Sequence, residues 1–459
     1  MSILNPLIHQ LPYLKDSASV FTTIANQAWS IFLDSGFPYS QQGRYDIMAC
    51  DPVTTLVTNG ATTTITTASD ISVSLADPFS VLKQHLLKNA FTEDFGLPFN
   101  GGALGYFSYD LARRLEKLPI HAQDAEQLPE MAIGIYPWAV VVDHQQQKSW
   151  LVGQQINAQE WQRLIKHFSG TPSASETSDV FTVTSAIVAN MDQPYYGAAF
   201  NKIKAYLKEG DCYQVNLTQR FSASCQGDPW YAYQRLRQQN AAPFSGYLNL
   251  PGVQILSSSP ERFLKVTAGK VESKPIKGTR PRKSDSTENQ AQIDALLSST
   301  KDKAENVMIV DLLRNDISKS CQVGSVKVPV LFAIESYATV HHLVSTVTGQ
   351  LAEGQYAVDL LRSCFPGGSI TGAPKIRAME IIEEIEPHRR GVYCGAIGYI
   401  GFNGNMDTNI AIRTFVHSNK TIRCWAGGGI VNDSVMEEEY QESFDKAEAL
   451  LQLLRDMMD

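Results

Sequence analysis

The chain has 459 residues, 43% hydrophobic and 19% charged, with 31 Gly and 21 Pro, a composition that excludes a disordered or fibrous protein. At ~100–200 residues per domain, two to four lobes are expected. Lys and Arg number 39 against 47 Asp and Glu, a formal net charge of −8; this argues against nucleic acid as a partner and requires any anionic substrate to find its cations gathered locally.

In chain order, β signals come first: Trp29 to Leu33, the Thr- and Val-rich stretch Arg44 to Val73, and Met131 to Val142 pairing with Ser149 to Ile156 across DHQQQK. Between them lie a predicted helix near Pro78–Ala90 and a glycine-containing patch, Gly101–Tyr109. Residues 169–190 are poor in charge and rich in Ser and Thr, which predicts a crossing segment at 171–190 between a β-rich N-terminal region, 1–170, and a second region, 191–459. Helix is then predicted near 193–209, strands around 212–225 and 244–280, one helix around 286–316, helices near 355–363 and 375–385, three strands between 392 and 431, and a closing helix from about 435 to 457. Strands in hairpin runs favour an α+β fold with antiparallel sheets over a strict βα alternation. No stretch approaches the ~18–20 apolar residues of a membrane span, and the N-terminus lacks a basic start followed by an apolar core, so a soluble, unexported, cytoplasmic protein is expected. Seven scattered cysteines with no C-x-x-C pair read as reduced thiols.

Two helices carry the same device. On the closing helix Glu439, Glu442 and Lys446 lie at i, i+3 and i+7, with Val435, Ala449, Leu453 and Met457 completing the strip. Near 302–316, Asp302 and Glu305 precede Ile309 and Leu313 on one face. Carboxylates entering an apolar face need partners or a cation, since desolvating a bare charge costs several kcal/mol. An all-oxygen set without His or Cys favours Mg²⁺ over zinc; ion pairs with Lys301, Lys303 or Arg314 are the alternative. FPGGSITGAPK (365–375) and WAGGGIV (425–431) are glycine-rich without being phosphate loops. Arg413, read as lying in an otherwise uncharged strand, either pairs with a protein carboxylate or grips one on a ligand. Lys277, Glu261 and His342 are ambiguous as isolated residues.

Taken together, SSSPERF, PIKGTRPR, AENVMIVDLLRNDI, FPGGSITGAPKIRAMEII, the Arg413 segment, and GGGIV followed by EEEYQESFDK resemble, in order and spacing, the chorismate-utilising enzymes. LDSG (33–36), RYDIMACDP and NGGALGYFSYD extend the resemblance over nearly the full chain. It implies two packed antiparallel β-sheets flanked by helices, with the active site between the sheets and the N- and C-terminal regions intertwined. Gln214 stands where water-adding members carry a lysine base, and Lys277 in PIKGT stands where anthranilate synthases have PIAGT; the latter resembles the aminodeoxychorismate synthase branch. That likeness implies Mg²⁺-dependent amination of chorismate at C4, with Lys277 as covalent nucleophile and Glu261 as general acid and base. It further implies substrate contacts from Arg413, Lys446, Tyr393, His342, Thr371, Gln214, Thr279 and the backbone of Gly427, Gly428 and Gly429. Glu305 and Glu442 would ligate Mg²⁺ directly, with Asp302 and Glu439 behind them. Leu33, Asp34 and Ser35 resemble the stretch where anthranilate synthases bind tryptophan. The chain shows no glutaminase region, so ammonia would come from a separate glutamine amidotransferase subunit in a transient heterodimer, or from solution.

Overall fold

The computed structural model describes residues 6–40, 43–90, 95–170, 179–337 and 340–458. Its strand pairs fall into two antiparallel sheets, of 13 and 12 strands among the described residues. Residues 171–178 of the predicted crossing segment lie outside the described residues; the remainder holds two short strands, Thr182–Val183 and Val188–Ala189, along Gln214–Gln226. In each sheet the strands from early in the chain form one block and those from late in the chain another, and the two blocks join at a single seam. Ser30–Asp34 pairs with Phe244–Leu250, and Gly102–Phe107 pairs with Ala396–Gly401.

Side chains on successive strand residues point to opposite faces, which explains how one strand serves two cores. Ile31 enters the core between the sheets, with Val141, Ile255, Leu104, Ile133 and Leu264. Its neighbour Phe32 faces outward, where helices Ala158–Ser169, Pro229–Gln239 and Met436–Arg455 cover the larger sheet with Trp161, Trp230 and Leu450. Gly102–Phe107, Met131–Tyr136 and Ala396–Gly401 are buried at every position. Such strands read as continuous apolar runs, and each large side chain removed from water stabilises the fold by roughly 1.5–3 kcal/mol. Truncation of Leu104 to Ala should cost about 2–5 kcal/mol.

Several sequence expectations change. The run Met131 to Val142 is two strands rather than one: Pro137, which has no N–H to offer a ladder, separates Met131–Tyr136 in one sheet from Trp138–Asp143 in the other. Only the second half pairs with Lys148–Gly153. The helix expected at 286–316 is broken at Ser299, whose hydroxyl caps a new helix, Thr300–Ser318, by accepting from the Asp302 N–H at 3.2 Å. Four strands, not three, lie between 392 and 431, and Lys327–Ser336 and Val340–Gln350 form strands that the reading passed over.

Candidate active site

Lys277 comes from the smaller sheet and Glu261 from the link between the two sheets. Lys277 opens the strand Ile276–Pro281, while Glu261 follows Val253–Ser259 of the larger sheet and leads directly into Arg262–Thr267 of the smaller one. One residue joins them. The Lys277 Nζ donates to the Ser369 carbonyl at 3.2 Å, and the Ser369 hydroxyl donates to Glu261 Oε1 at 2.8 Å. The Glu261 side chain is buried; burial pushes its carboxyl above the usual range, against the opposing pull of Ser369, Lys277 and Lys446. Burial likewise lowers the Lys277 amine, helped by repulsion from Lys446 and opposed by Glu305, Glu261 and Glu442. Both groups are therefore held nearer neutrality than in water, the state a nucleophilic amine and a carboxylic acid require.

Four acidic side chains approach from two helices. Glu439 and Glu442 reach down from Met436–Arg455 onto Gly428: a Cβ there would meet Glu439 Oε2 at 2.9 Å and Glu442 Oε1 at 3.3 Å, so the glycine is what admits both carboxylates. Glu305, on Thr300–Ser318, is raised by burial and by repulsion from Asp302 and Glu442, outweighing Lys277 and Lys301. Glu439 is raised by burial and by Glu442, outweighing its Ser434 hydrogen bond. Burial also acts upward on Glu442, but Lys446, whose Nζ sits 2.6 Å from Oε1, outweighs it with help from Lys301 and Lys277 and leaves the group lowered. Asp302 is engaged by Arg280 at 3.1 Å. Among the described residues no three such groups stand close enough to form a ready-made metal centre. The glycine cradle and the mutually repelling, all-oxygen groups Glu305, Glu439 and Glu442 suit a hard divalent cation, with Lys301 and Lys446 supplying positive charge beside them.

The helix strip differs from its expected composition. Val435 and Ala449 are exposed, and the buried line runs through Glu439, Ser443, Ala447, Leu450 and Leu454. Glu439 thus lies deepest, while Glu442 and Lys446 stand at its wetter edge.

Arg413 is not in a strand. It occupies the turn between Met406–Asn409 and Thr414–Ser418 at φ +52°, where its side chain forms no hydrogen bond or ion pair among the described residues. Burial pushes its guanidinium down, with Tyr393 opposing. Such a cation lacks the partner that burial demands, and a ligand carboxylate would supply it. Tyr393 is buried and stacks on Trp425, ring centres 5.9 Å apart. His342, on Val340–Gln350, is pushed down to about 4 by burial, with Arg413 contributing, so its imidazole is neutral at pH 7; its Nδ1 lies 2.9 Å from the Thr279 hydroxyl. Lys446 Nζ also donates to the Gly427 carbonyl at 3.1 Å. Thr371 is buried, its hydroxyl donating to the Gly367 carbonyl at 3.1 Å. Gly427, Gly428 and Gly429 lie on Thr421–Ile430, opposite Thr218, Leu217 and Asn216. Gln214 Nε2 donates to Asn216 Oδ1 at 2.9 Å, while its Oε1 is buried without a partner.

Leu33, Asp34 and Ser35 stand apart from this cluster. They line a cavity of about 520 Å³ that includes Gly398, Asp407 and Asn409 but neither Lys277 nor Glu261. Asp34 is engaged by Arg237 at 2.7 Å and by the Tyr233 hydroxyl at 2.9 Å, whereas the Ser35 hydroxyl has no partner among the described residues.

Sequence reasoning missed Ser369 and Asn216, and it named Lys301 only as an ion-pair partner. Ser369 lies within the glycine segment FPGGSITGAPK, where the glycines held attention. All seven cysteines are buried and free. Among the described residues no helix is long and apolar enough to cross a membrane.

Residues 37–452 match the family of chorismate binding enzymes. The chain is 48% identical over 454 residues to aminodeoxychorismate synthase component 1 of Salmonella typhimurium, covering 98% of this chain and 99% of that one. It is 47% identical over 460 residues to the protein of the same name from Escherichia coli K12, covering 99% and 100%. Anthranilate synthase component I from Streptococcus pneumoniae superposes with a TM-score of 0.80 at 31% identity, over 89% of this chain and 92% of that one.

Proposed function

From its membership of the chorismate binding enzymes, we propose that this chain is component I of an aminodeoxychorismate synthase, aminating chorismate at C4 to 4-amino-4-deoxychorismate for p-aminobenzoate and folate synthesis. One observation carries the choice of C4: Lys277, which replaces the alanine of PIAGT, points its amine at the Ser369 carbonyl beside Glu261, in surroundings that lower its basicity.

The reaction is built from two displacements. The free amine of Lys277 forms a bond to C2 as the ring double bonds shift. The C4–O bond breaks, and the departing hydroxyl leaves as water with the proton of Glu261. Ammonia then bonds to C4, the double bonds shift back, and the C2–N bond breaks to return the lysine amine. Glu261 takes up the proton that the new ammonium sheds, so the acid is restored. Arg413, paired with no carboxylate among the described residues, receives a carboxylate on the enolpyruvyl side, with Lys446 and Tyr393 beside it. The neutral His342 faces the ring with Thr279, and Thr371 and the Gly427–Gly429 backbone complete the contacts. Gln214 offers an amide where a water-activating lysine would divert the reaction. Glu305 and Glu442, with Glu439 and Asp302 behind, would hold Mg²⁺, which would supply charge neutralisation for the ring carboxylate.

Ammonia comes from a glutamine amidotransferase subunit in a transient heterodimer, a reading supported by the name component 1 that the relatives carry. The Leu33–Ser35 cavity takes an amino acid of tryptophan-like size, and the free, buried thiols support a cytoplasmic location. Chromatography of a reaction with chorismate, Mg²⁺ and ammonium tests the activity. 4-Amino-4-deoxychorismate is expected; anthranilate as the main product would overturn it.

A further inference from the structure

Three polar side chains meet at Ser369, and a fourth stands behind them. Its carbonyl accepts from Lys277 Nζ at 3.2 Å and from Asn216 Nδ2 at 3.2 Å, its hydroxyl donates to Glu261 Oε1 at 2.8 Å, and Asn216 Oδ1 in turn accepts from Gln214. The residue sits in the middle of the single turn Gly368–Ile370, which is fixed from several sides. The fully buried Arg390 donates to the Ile370 carbonyl at 2.9 Å and to the Asn216 carbonyl at 2.9 Å, and Glu386 secures that guanidinium at 2.7 Å. The Asn216 N–H donates to the Thr371 carbonyl at 2.9 Å. The turn cannot back away: a Cβ at Gly368 would meet Leu312 Cδ2 at 2.4 Å, and one at Gly367 would meet Ile410 Cδ1 at 2.7 Å. Ile410 is also the residue whose N–H holds the Glu261 carbonyl, at 3.0 Å.

We propose that Ser369 is a positioning residue for both reacting side chains, its hydroxyl committing Glu261 Oε1 so that Oε2 alone carries the transferable proton, and its carbonyl aiming the Lys277 amine. The inference rests on the C4-amination reading above. The proton leaves Oε2 as the C4–O bond breaks, producing water and a carboxylate whose Oε1 still accepts from Ser369. A hydroxyl that donates in both states fixes the rotamer throughout, and it stabilises the ionised form more than the protonated one. Removing it therefore has two separable consequences. Glu261 becomes harder to ionise, and its proton is free to sit on either oxygen. The Lys277 contact survives, since it uses the main chain.

The test is Ser369→Ala against Ser369→Thr, which keeps the hydroxyl. In the alanine variant kcat should fall on the order of 10- to 100-fold with KM within about twofold, and the limb of the kcat–pH profile that follows Glu261 should move up by about half to one pH unit. The threonine variant should return the limb to its wild-type position and recover most of the rate. A substrate-free readout separates this inference from the activity it rests on: infrared difference titration of the protonated carboxyl band that Glu261→Gln abolishes should show the same upward displacement in Ser369→Ala. An unmoved band and an unmoved limb, or a uniform loss of rate with KM rising in step, would overturn the role given to Ser369. A wild type whose band responds to Ser369→Ala but which makes no 4-amino product would instead overturn the activity reading alone.

Discussion

Removing the Lys277 amine should abolish C4 chemistry while leaving the protein folded and able to bind its substrate. The ammonium makes one hydrogen bond, to the Ser369 carbonyl, which retains the Asn216 amide as a second donor in its absence. Loss of a single hydrogen bond that leaves its acceptor satisfied costs about 1 kcal/mol or less, offset by removal of a buried cation, so Tm should change by about 2 °C or less. Losing the nucleophile acts on the reaction path and not on ground-state affinity: Lys277→Ala should lower kcat by on the order of 10³-fold or more, with chorismate Kd within about threefold. Because Lys277 is also a cation beside Glu305, its removal should hold or tighten Mg²⁺ binding. Lys277→Arg should not restore the rate, since a guanidinium stays protonated. With alanine the motif becomes PIAGT, and residual amination should shift toward C2, giving aminodeoxyisochorismate or anthranilate. The assays are steady-state kinetics with chromatographic product identification, calorimetric chorismate and Mg²⁺ binding, and thermal melting. A Lys277→Ala enzyme forming 4-amino-4-deoxychorismate at near the wild-type rate would refute the reasoning and reduce Lys277 to an electrostatic contact.

Chelation with EDTA should abolish activity and Mg²⁺ restore it, and Glu442→Gln should raise the Mg²⁺ concentration for half-maximal rate by at least about tenfold; full activity in EDTA would return the carboxylates to an ion-pair role. The kcat–pH profile should be bell-shaped with both limbs drawn inward from 4.5 and 10.5, because burial raises Glu261 and lowers Lys277; limbs at the unperturbed positions would contradict the burial argument. Arg413→Met should weaken chorismate binding by on the order of 10²-fold with little loss of stability, since it removes a buried cation that no group among the described residues pairs; calorimetry showing unchanged affinity would place the substrate elsewhere. His342, at about 4 in the folded protein against 6.5 as an unperturbed group, binds its proton more weakly than in the unfolded chain. Its contribution to stability is complete above about pH 6.5 and is lost as pH falls toward 4, so His342→Gln should flatten that part of the acid unfolding curve; an identical curve would exclude it as a contributor.

Periodicity made the two acidic helices legible, because i, i+3 spacing against an apolar run survives whatever the tertiary packing does: Glu305 with Ile309 and Leu313, and Glu439 with Leu453, are where the spacing placed them. Finer composition of the strip was not legible, since Val435 caps the helix and is exposed and Ala449 turns to solvent. The sheet switch at Pro137 depends on which ladder each half joins, a long-range matter that no local alternation encodes. Arg413 in a left-handed turn reads from the sequence as strand because its flanks, NIAI and TFV, are strand-like. Ser369 escaped notice because its contacts come from residues 92 and 108 positions away.

On the proposed path chorismate passes through a covalent bond to Lys277. Wild-type protein mixed with chorismate and Mg²⁺ in the absence of ammonia, acid-quenched and digested, should yield the Lys277 peptide heavier by chorismate less one water, the adduct vanishing when ammonium is added before the quench and absent from Lys277→Ala. An unmodified Lys277 peptide at every quench time, from an enzyme that nonetheless turns over rapidly when ammonium is supplied, would contradict the account.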